Sequence, residues 1–258
     1  MTKLKERQTI MEQSKKLDDG QLIGYLSNYL RQIDKTGTKI IVLIGGPASG
    51  KGTLAERLAV SLGNTAVLST DNYLKGNRDW RRANVEDVGR DPLEKYDPAF
   101  LNEQLRKILL LQEGQEIGIP IYDGQSGVAI SQDPEDISPD SHYPTKVRGP
   151  QNFIIVEGDF QFVDSELMDK MVFLDVPDEV RLENRVYRDL QKRKEADDPI
   201  LAEQKTRENF ASRQATQFIP HTLTNREKAN LVINVHASLL PTPTPETKYL
   251  YTYSIIER

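Results

Sequence analysis

Five apolar runs punctuate the chain, and they set its organisation. Lys39-Ile40-Ile41-Val42-Leu43-Ile44 is the first and is rich in β-branched side chains; Thr65-Ala66-Val67-Leu68-Ser69 follows closely. Phe153-Ile154-Ile155-Val156, Met171-Val172-Phe173-Leu174-Asp175 and Leu231-Val232-Ile233-Asn234-Val235 come later. Short unbroken apolar runs suit strands buried on both faces. Between them the apolar spacing becomes helical. Leu54, Leu58 and Leu62 share a face with Ala55 and Ala59; Phe100, Leu101, Leu105, Ile108 and Leu109 form another, behind an Asp97-Pro98 start signal. Leu182, Val186 and Leu190 mark a third helix, and residues 199–218 a long polar one. Strands alternating with helices predict an α/β fold of three layers, with a mostly parallel five-stranded sheet between helices.

The remaining pattern divides the chain. Residues 1–36 read as a helical extension packed on the core, with Leu22, Leu26, Tyr29, Leu30 and Ile33 on one face after the Asp18-Asp19-Gly20 break. Residues 37–240 form the main domain. Within it, 75–97 is polar and reads as an exposed excursion. Segments 115–121 and 127–131 predict a small β-hairpin insertion, about 113–131, with Tyr122-Asp123-Gly124-Gln125 as its turn. Residues 132–150 hold four prolines and read as a loop, and about 185–198 as a lid. Residues 241–258 combine a stiff Pro-Thr-Pro-Thr-Pro linker with a tyrosine-rich edge strand that could add to a neighbouring sheet, so a homo-oligomer stays open.

Composition narrows the partners. The 258 residues carry a net charge of −5, which leaves no broad footprint for nucleic acid. No run approaches the ~20 apolar residues of a membrane span. The absence of cysteine excludes disulfides, thiolate metal sites and a cysteine nucleophile. The N-terminus has no apolar core of a signal peptide. The expectation is a soluble cytoplasmic protein acting on a small molecule, with neither nucleic acid nor membrane as partner.

The candidate chemistry begins at Gly45-Gly46-Pro47-Ala48-Ser49-Gly50-Lys51-Gly52-Thr53, between the first strand and the first core helix. Strand, glycine loop and helix together make a phosphate-binding loop, in which backbone N–H groups and the helix N-terminus face anionic oxygens. Gly46, Pro47, Ala48, Ser49, Gly50, Lys51, Gly52 and Thr53 are therefore the nucleotide-binding candidates, with Lys51 reaching the β- and γ-phosphates of a nucleoside triphosphate. Gly52 stands where a Mg²⁺-binding hydroxyl usually follows the lysine, and the hydroxyl comes one place later, at Thr53.

Four further pieces lie at the carboxyl ends of the predicted strands. Asp71 could take the proton from an alcohol acceptor, a service that an already anionic phosphate acceptor does not need. Glu157, directly after a strand, could hold Mg²⁺ or its water shell together with Thr53. Arg185, Arg188 and Arg193 could close over a triphosphate, and Arg181 shares their basic face. Tyr73, Asp97, Tyr122 and Asp123 could line an acceptor pocket. Asp97 also has a complete role as a helix cap and Asp123 as a turn residue. His142, His221 and His236 lack metal-ligand spacing, and Trp80 reads as packing.

Taken together these motifs resemble the uridine kinase and phosphoribulokinase family of phosphate-loop kinases. The resemblance rests on Gly-Gly-Pro-Ala-Ser-Gly-Lys at 45–51, Thr-Asp-Asn-Tyr at 70–73, Tyr-Asp-Pro-Ala-Phe at 96–100 and Ile-Pro-Ile-Tyr-Asp at 119–123. Val-Glu-Gly-Asp-Phe at 156–160, Phe173-Leu174-Asp175, Arg-Val-Tyr-Arg-Asp-Leu at 185–190 and Ala229-Asn230-Leu231-Val232-Ile233 follow in family order. It implies a phosphate-loop NTPase-type fold and ATP-dependent phosphorylation of a small-molecule hydroxyl, a nucleoside foremost and a sugar phosphate or other metabolite behind it. It also implies Asp71 as base, Glu157 near Mg²⁺, Arg188 and Arg193 on phosphates, and Asp97 with Tyr122 at the acceptor. Uridine kinases generally carry a histidine shortly after the tyrosine–aspartate pair; Gly124-Gln125-Ser126-Gly127-Val128 has none. The Gly52-Thr53 spelling resembles adenylate kinases and keeps a nucleoside monophosphate acceptor in view. A module that only binds ATP to control a partner is the non-enzyme alternative.

Overall fold

A computed structural model describes residues 16–123, 128–129, 145–192, 199–240 and 249–258. The elements in chain order are α1 (Asp19–Arg31), β1 (Lys39–Gly45), α2 (Lys51–Leu62), β2 (Thr65–Ser69), α3 (Pro98–Leu109) and β3 (Glu116–Ile119). Then come β4 (Tyr122–Asp123), β5 (Val128–Ala129), β6 (Thr145–Arg148), β7 (Phe153–Gly158), β8 (Lys170–Asp175), α4 (Asp178–Lys192), α5 (Pro199–Arg213), β9 (Leu231–Leu239) and β10 (Tyr249–Glu257).

The β-branched continuity of β1 suits a strand covered on both faces, and β1 lies inside a sheet of order β10-β9-β8-β1-β7-β2. The first five strands in sequence that join it pair in parallel. The tail adds β10 as a sixth strand, antiparallel to β9 from Tyr249↔Leu239 to Glu257↔Leu231. The sheet is therefore one strand wider than the apolar runs predict. On the far side of β10, Leu17 exchanges backbone hydrogen bonds with Tyr253 at 2.8 and 2.9 Å, so that edge is partly taken.

Alternation along β1 divides the core. Ile40, Val42 and Ile44 pack with α3, Phe173 and Phe218, whereas Ile41 and Leu43 face α1 and α2 on the other side. α1 begins in a capping box, where Asp18 accepts from the Gln21 amide at 2.8 Å and Gln21 answers at 3.1 Å. Its Leu22, Leu26 and Leu30 are buried against the sheet and α2.

Register positions the site. Ser69 of β2 pairs with Glu157 of β7, Leu43 of β1 pairs with the same Glu157, and Gly45 pairs with Leu174 of β8. The four strands thus end level, so the segments after β1, β2 and β7 leave the sheet side by side.

Several expectations are corrected. β3 pairs not with 127–131 but with β6, from Glu116↔Arg148 to Ile119↔Thr145, so part of the expected 132–150 loop is a strand. The signal in Thr145-Lys146-Val147-Arg148 is slight because only Val147 turns inward; Lys146 and Arg148 instead face Glu116 at 3.1 and 3.5 Å. Tyr122 and Asp123 are strand residues paired with Ala129 and Val128, not the turn. The 75–97 excursion folds back through short helical turns and buries Arg81, Val85 and Lys95. Arg181 is not on an exposed basic face but fully buried. Residues 124–127, 130–144 and 241–248 lie outside the described residues.

Candidate active site

The phosphate loop leaves β1 at Gly45 and turns through two left-handed residues, Ala48 (φ 61°) and Gly50 (φ 87°). Glycine takes that conformation without strain; Ala48 does not, which marks a loop shaped for something other than its own stability. Gly50 caps α2 with no side-chain hydrogen bond, and the first turn holds no acidic residue. Its N–H groups have no partner within the helix. The Ser49 hydroxyl is buried and unpartnered. Lys51 is only 7% exposed, and its Nζ donates to the Gly46 carbonyl at 3.0 Å and to Asp159 Oδ1 at 2.7 Å. Unsatisfied amides, an orphaned hydroxyl and a confined ammonium form a donor set that fits a polyphosphate.

Asp71 lies in the helical turn Thr70–Tyr73 that follows β2. Its side chain is exposed to the cleft, while the protein around it withdraws part of its water. That desolvation, and then the charge of Asp159, raise its carboxyl above the ordinary range against the pull of Lys51, Arg213 and Lys95. The Tyr96 hydroxyl stands 3.5 Å from Asp71 Oδ1, and its ring packs against Phe160 and Phe162. Glu157 is raised by the same desolvation, which outweighs Lys51 and a hydrogen bond from Ser69. Lys51, Asp71, Glu157 and Asp159 therefore act on one another in one cleft.

The model of the phosphoribulokinase / uridine kinase family matches residues 40–237, which spans the loop, both strand-end acids and α4. The chain belongs to that family. A uridine kinase of Borrelia duttonii is 32% identical over 158 residues, 60% of this chain and 69% of its own. One of Borrelia hermsii is 27% identical over 198 residues, 76% of this chain and 85% of its own. Among solved structures, the D-glycerate 3-kinase of Cryptococcus neoformans matches with a TM-score of 0.57 at 12% identity, over 90% of this chain and 99% of that one, which speaks to the fold. As a family member the chain is an ATP-dependent phosphotransferase acting on a hydroxyl group of a small molecule.

The arginines expected over the phosphates lie on and beyond α4. Arg185 Nε donates to Asp189 at 2.9 Å; desolvation and then Arg188 lower its guanidinium. Arg188 is half exposed, 3.7 Å from the same Asp189. Arg193 lies outside the described residues. Thr53 is exposed in the first turn of α2.

On the acceptor side the predicted residues take local partners. Tyr73 is buried edge-on against Phe100, with ring centroids 5.6 Å apart. Asp97 caps α3 by accepting from the Phe100 amide at 3.0 Å. Tyr122 donates its backbone N–H to Asn72 Oδ1 at 2.9 Å, and its ring lies beneath the Arg81 guanidinium, 5.8 Å from the ring centroid. Asp123 follows it in β4.

Three residues at this cleft escape a reading of the sequence. Asp159 sits two places beyond Glu157 and could have been found by the same strand-end logic. Lys95 is buried beside Tyr96 and 3.5 Å from Glu86; desolvation lowers it, as does Arg213. Arg213 closes α5, and its charge reaches Asp71, Lys95, Tyr96 and Arg185. Nothing in a polar helix marks that one arginine in advance.

For Mg²⁺ the donor set is sparse: among the described residues no three His, Cys, Asp or Glu side chains form a metal cluster. Magnesium suits such a site, since it commonly takes one or two carboxylates and completes its shell with phosphate and water. The chain also shows no helix, among the described residues, long and apolar enough to cross a membrane.

Proposed function

We propose that the chain transfers the γ-phosphoryl group of MgATP to the hydroxyl of a nucleoside, as the names of its curated relatives suggest. The carrying observation is Asp71, a carboxyl of raised proton affinity standing level with the phosphate loop and coupled to Lys51. In this reading the loop amides, Ser49 and Lys51 hold the triphosphate. Asp71 accepts the acceptor proton as the acceptor oxygen bonds to the γ-phosphorus, and the bond from that phosphorus to the ADP oxygen breaks. Lys51 must leave Asp159 to reach the phosphates. Mg²⁺, held through Glu157, Thr53 and water, would offset charge on the β- and γ-phosphates. Arg185, Arg188 and Arg193 would screen the transferred group from the lid side. Tyr122 and Asp97 would face the acceptor, with Tyr73 and Asp123 behind them.

A second acceptor class has its own support. Arg213 and Lys95 act on Asp71, and Arg81 acts on Tyr96 beside it, so the acceptor side is richer in cations than a neutral nucleoside requires. A hydroxyl compound carrying phosphate or carboxylate would use them. ATP-to-ADP turnover with Mg²⁺ across nucleosides, sugar phosphates, hydroxy acids and nucleoside monophosphates separates these readings. Turnover with uridine or cytidine supports the nucleoside; turnover confined to anionic alcohols replaces it. ATP binding with silence across the panel would favour a regulatory module.

A further inference from the structure

Arg181, at the base of α4, has no exposed surface. Its Nε donates to the Val176 carbonyl at 3.2 Å, and Nη2 donates to Asp178 at 2.6 Å and to Gln214 at 2.9 Å. The guanidinium carbon stands 4.0 Å from the ring centroid of Phe218 and 5.3 Å from that of Phe210. The head is thus clamped by the segment that follows the lid. Its third nitrogen, Nη1, is buried and has no hydrogen-bond partner. A buried charged donor without an acceptor is unfavourable, and this one is turned toward the phosphate loop. A Cβ built on Gly46 would come within 2.2 Å of Nη1 and 2.7 Å of Cζ. Gly46 has no positive φ, so glycine is needed there for space and not for conformation.

Gly46 is also where Lys51 is tied, through the 3.0 Å hydrogen bond to its carbonyl. When Lys51 turns to a polyphosphate, that carbonyl keeps only the Ser49 amide, at 3.2 Å, and loses its charged donor, while an unpaired guanidinium N–H lies against the same residue. We infer that Arg181 is a positioning residue for the phosphate loop, its Nη1 taking up the Gly46 carbonyl that Lys51 releases. α4 and the turn carrying Phe218 are thereby fastened to the loop in its loaded form. This rests on polyphosphate binding at the loop. It adds a brace that touches neither substrate.

The test compares wild type, Arg181→Lys and Arg181→Met for MgADP affinity by calorimetry, melting temperature, and amide hydrogen exchange over 46–51 with and without MgADP. MgADP is the probe because it needs no acceptor. The expected result is at least a tenfold loss of MgADP affinity in both variants, with loop amides that MgADP protects in wild type left unprotected. Lysine keeps the charge but cannot bond Asp178 and reach Gly46 together, so Arg181→Lys carries the test if Arg181→Met fails to fold. MgADP affinity within twofold of wild type in a folded variant would overturn the inference. So would affinity falling only in step with melting temperature while loop protection persists. Failure of wild type to bind MgADP would overturn the kinase reading itself, and this one with it.

Discussion

A carboxylate that removes a proton from an alcohol works best when its own proton affinity is raised, and Asp71 has that property from desolvation and from Asp159. Asp71→Asn should lower kcat by roughly 10²- to 10⁴-fold, the usual weight of general-base catalysis, while ATP affinity measured by calorimetry changes little. Loss of ATP binding instead would assign Asp71 a structural part. The pH dependence has a definite sign. A general base works only when deprotonated, so with Asp71 in that role turnover should fall as pH drops through a carboxyl value above the ordinary aspartate range. Asp159→Asn removes the neighbouring like charge and should move that acid limb to lower pH; a limb that stays put would mean another group titrates there. Asp71 was visible in the sequence as a carboxylate just past a strand end, and the fold brings it beside the phosphate loop. Asp159 was within reach of the same strand-end logic, but its tie to Lys51, 2.7 Å away, appears only in the fold. Arg213 was out of reach, because a helix full of charges hides the one whose side turns to the cleft.

Helices and strands were legible where their patterns were long. The five parallel strands and α2, α3 and α4 follow from apolar periodicity, because each buries a whole face or both. Failure came where one side chain decides. β6 turns only Val147 to the core, and its pairing with β3 is fixed as much by Glu116 meeting Lys146 and Arg148 as by burial. α1 is an instructive contrast: it precedes the stretch matched by the family model, yet Leu26 is 1% exposed and joins the same cluster as β1 and α2. Leu26→Ala should therefore destabilise the protein by about 2–5 kcal/mol, the range for truncating a well-packed leucine. Urea denaturation would check it. A loss well under 1 kcal/mol would mean that α1 is an appendage and not part of the core.

For the molecule as a whole, the order β10-β9-β8-β1-β7-β2 gathers the ends of β1, β2 and β7 into one cleft, so one ligand can bear on all of them. Nucleotide binding should then stabilise the entire fold through linkage, because polyphosphate satisfies donors that only the folded loop presents together. At about a hundredfold excess over Kd, one ligand adds about 2.7 kcal/mol of stability. For a domain of this size that corresponds to a rise in Tm of roughly 5–10 °C. Lys51→Met removes the confined ammonium and should abolish most of the MgATP-induced rise while leaving the fold intact by circular dichroism. An undiminished rise would place the nucleotide elsewhere. The comparison also separates binding from chemistry, since Asp71→Asn should keep the full thermal shift that Lys51→Met loses. Two variants, one blind to nucleotide and one binding it without turnover, would divide the cleft into a phosphate side and an acceptor side before the acceptor is known.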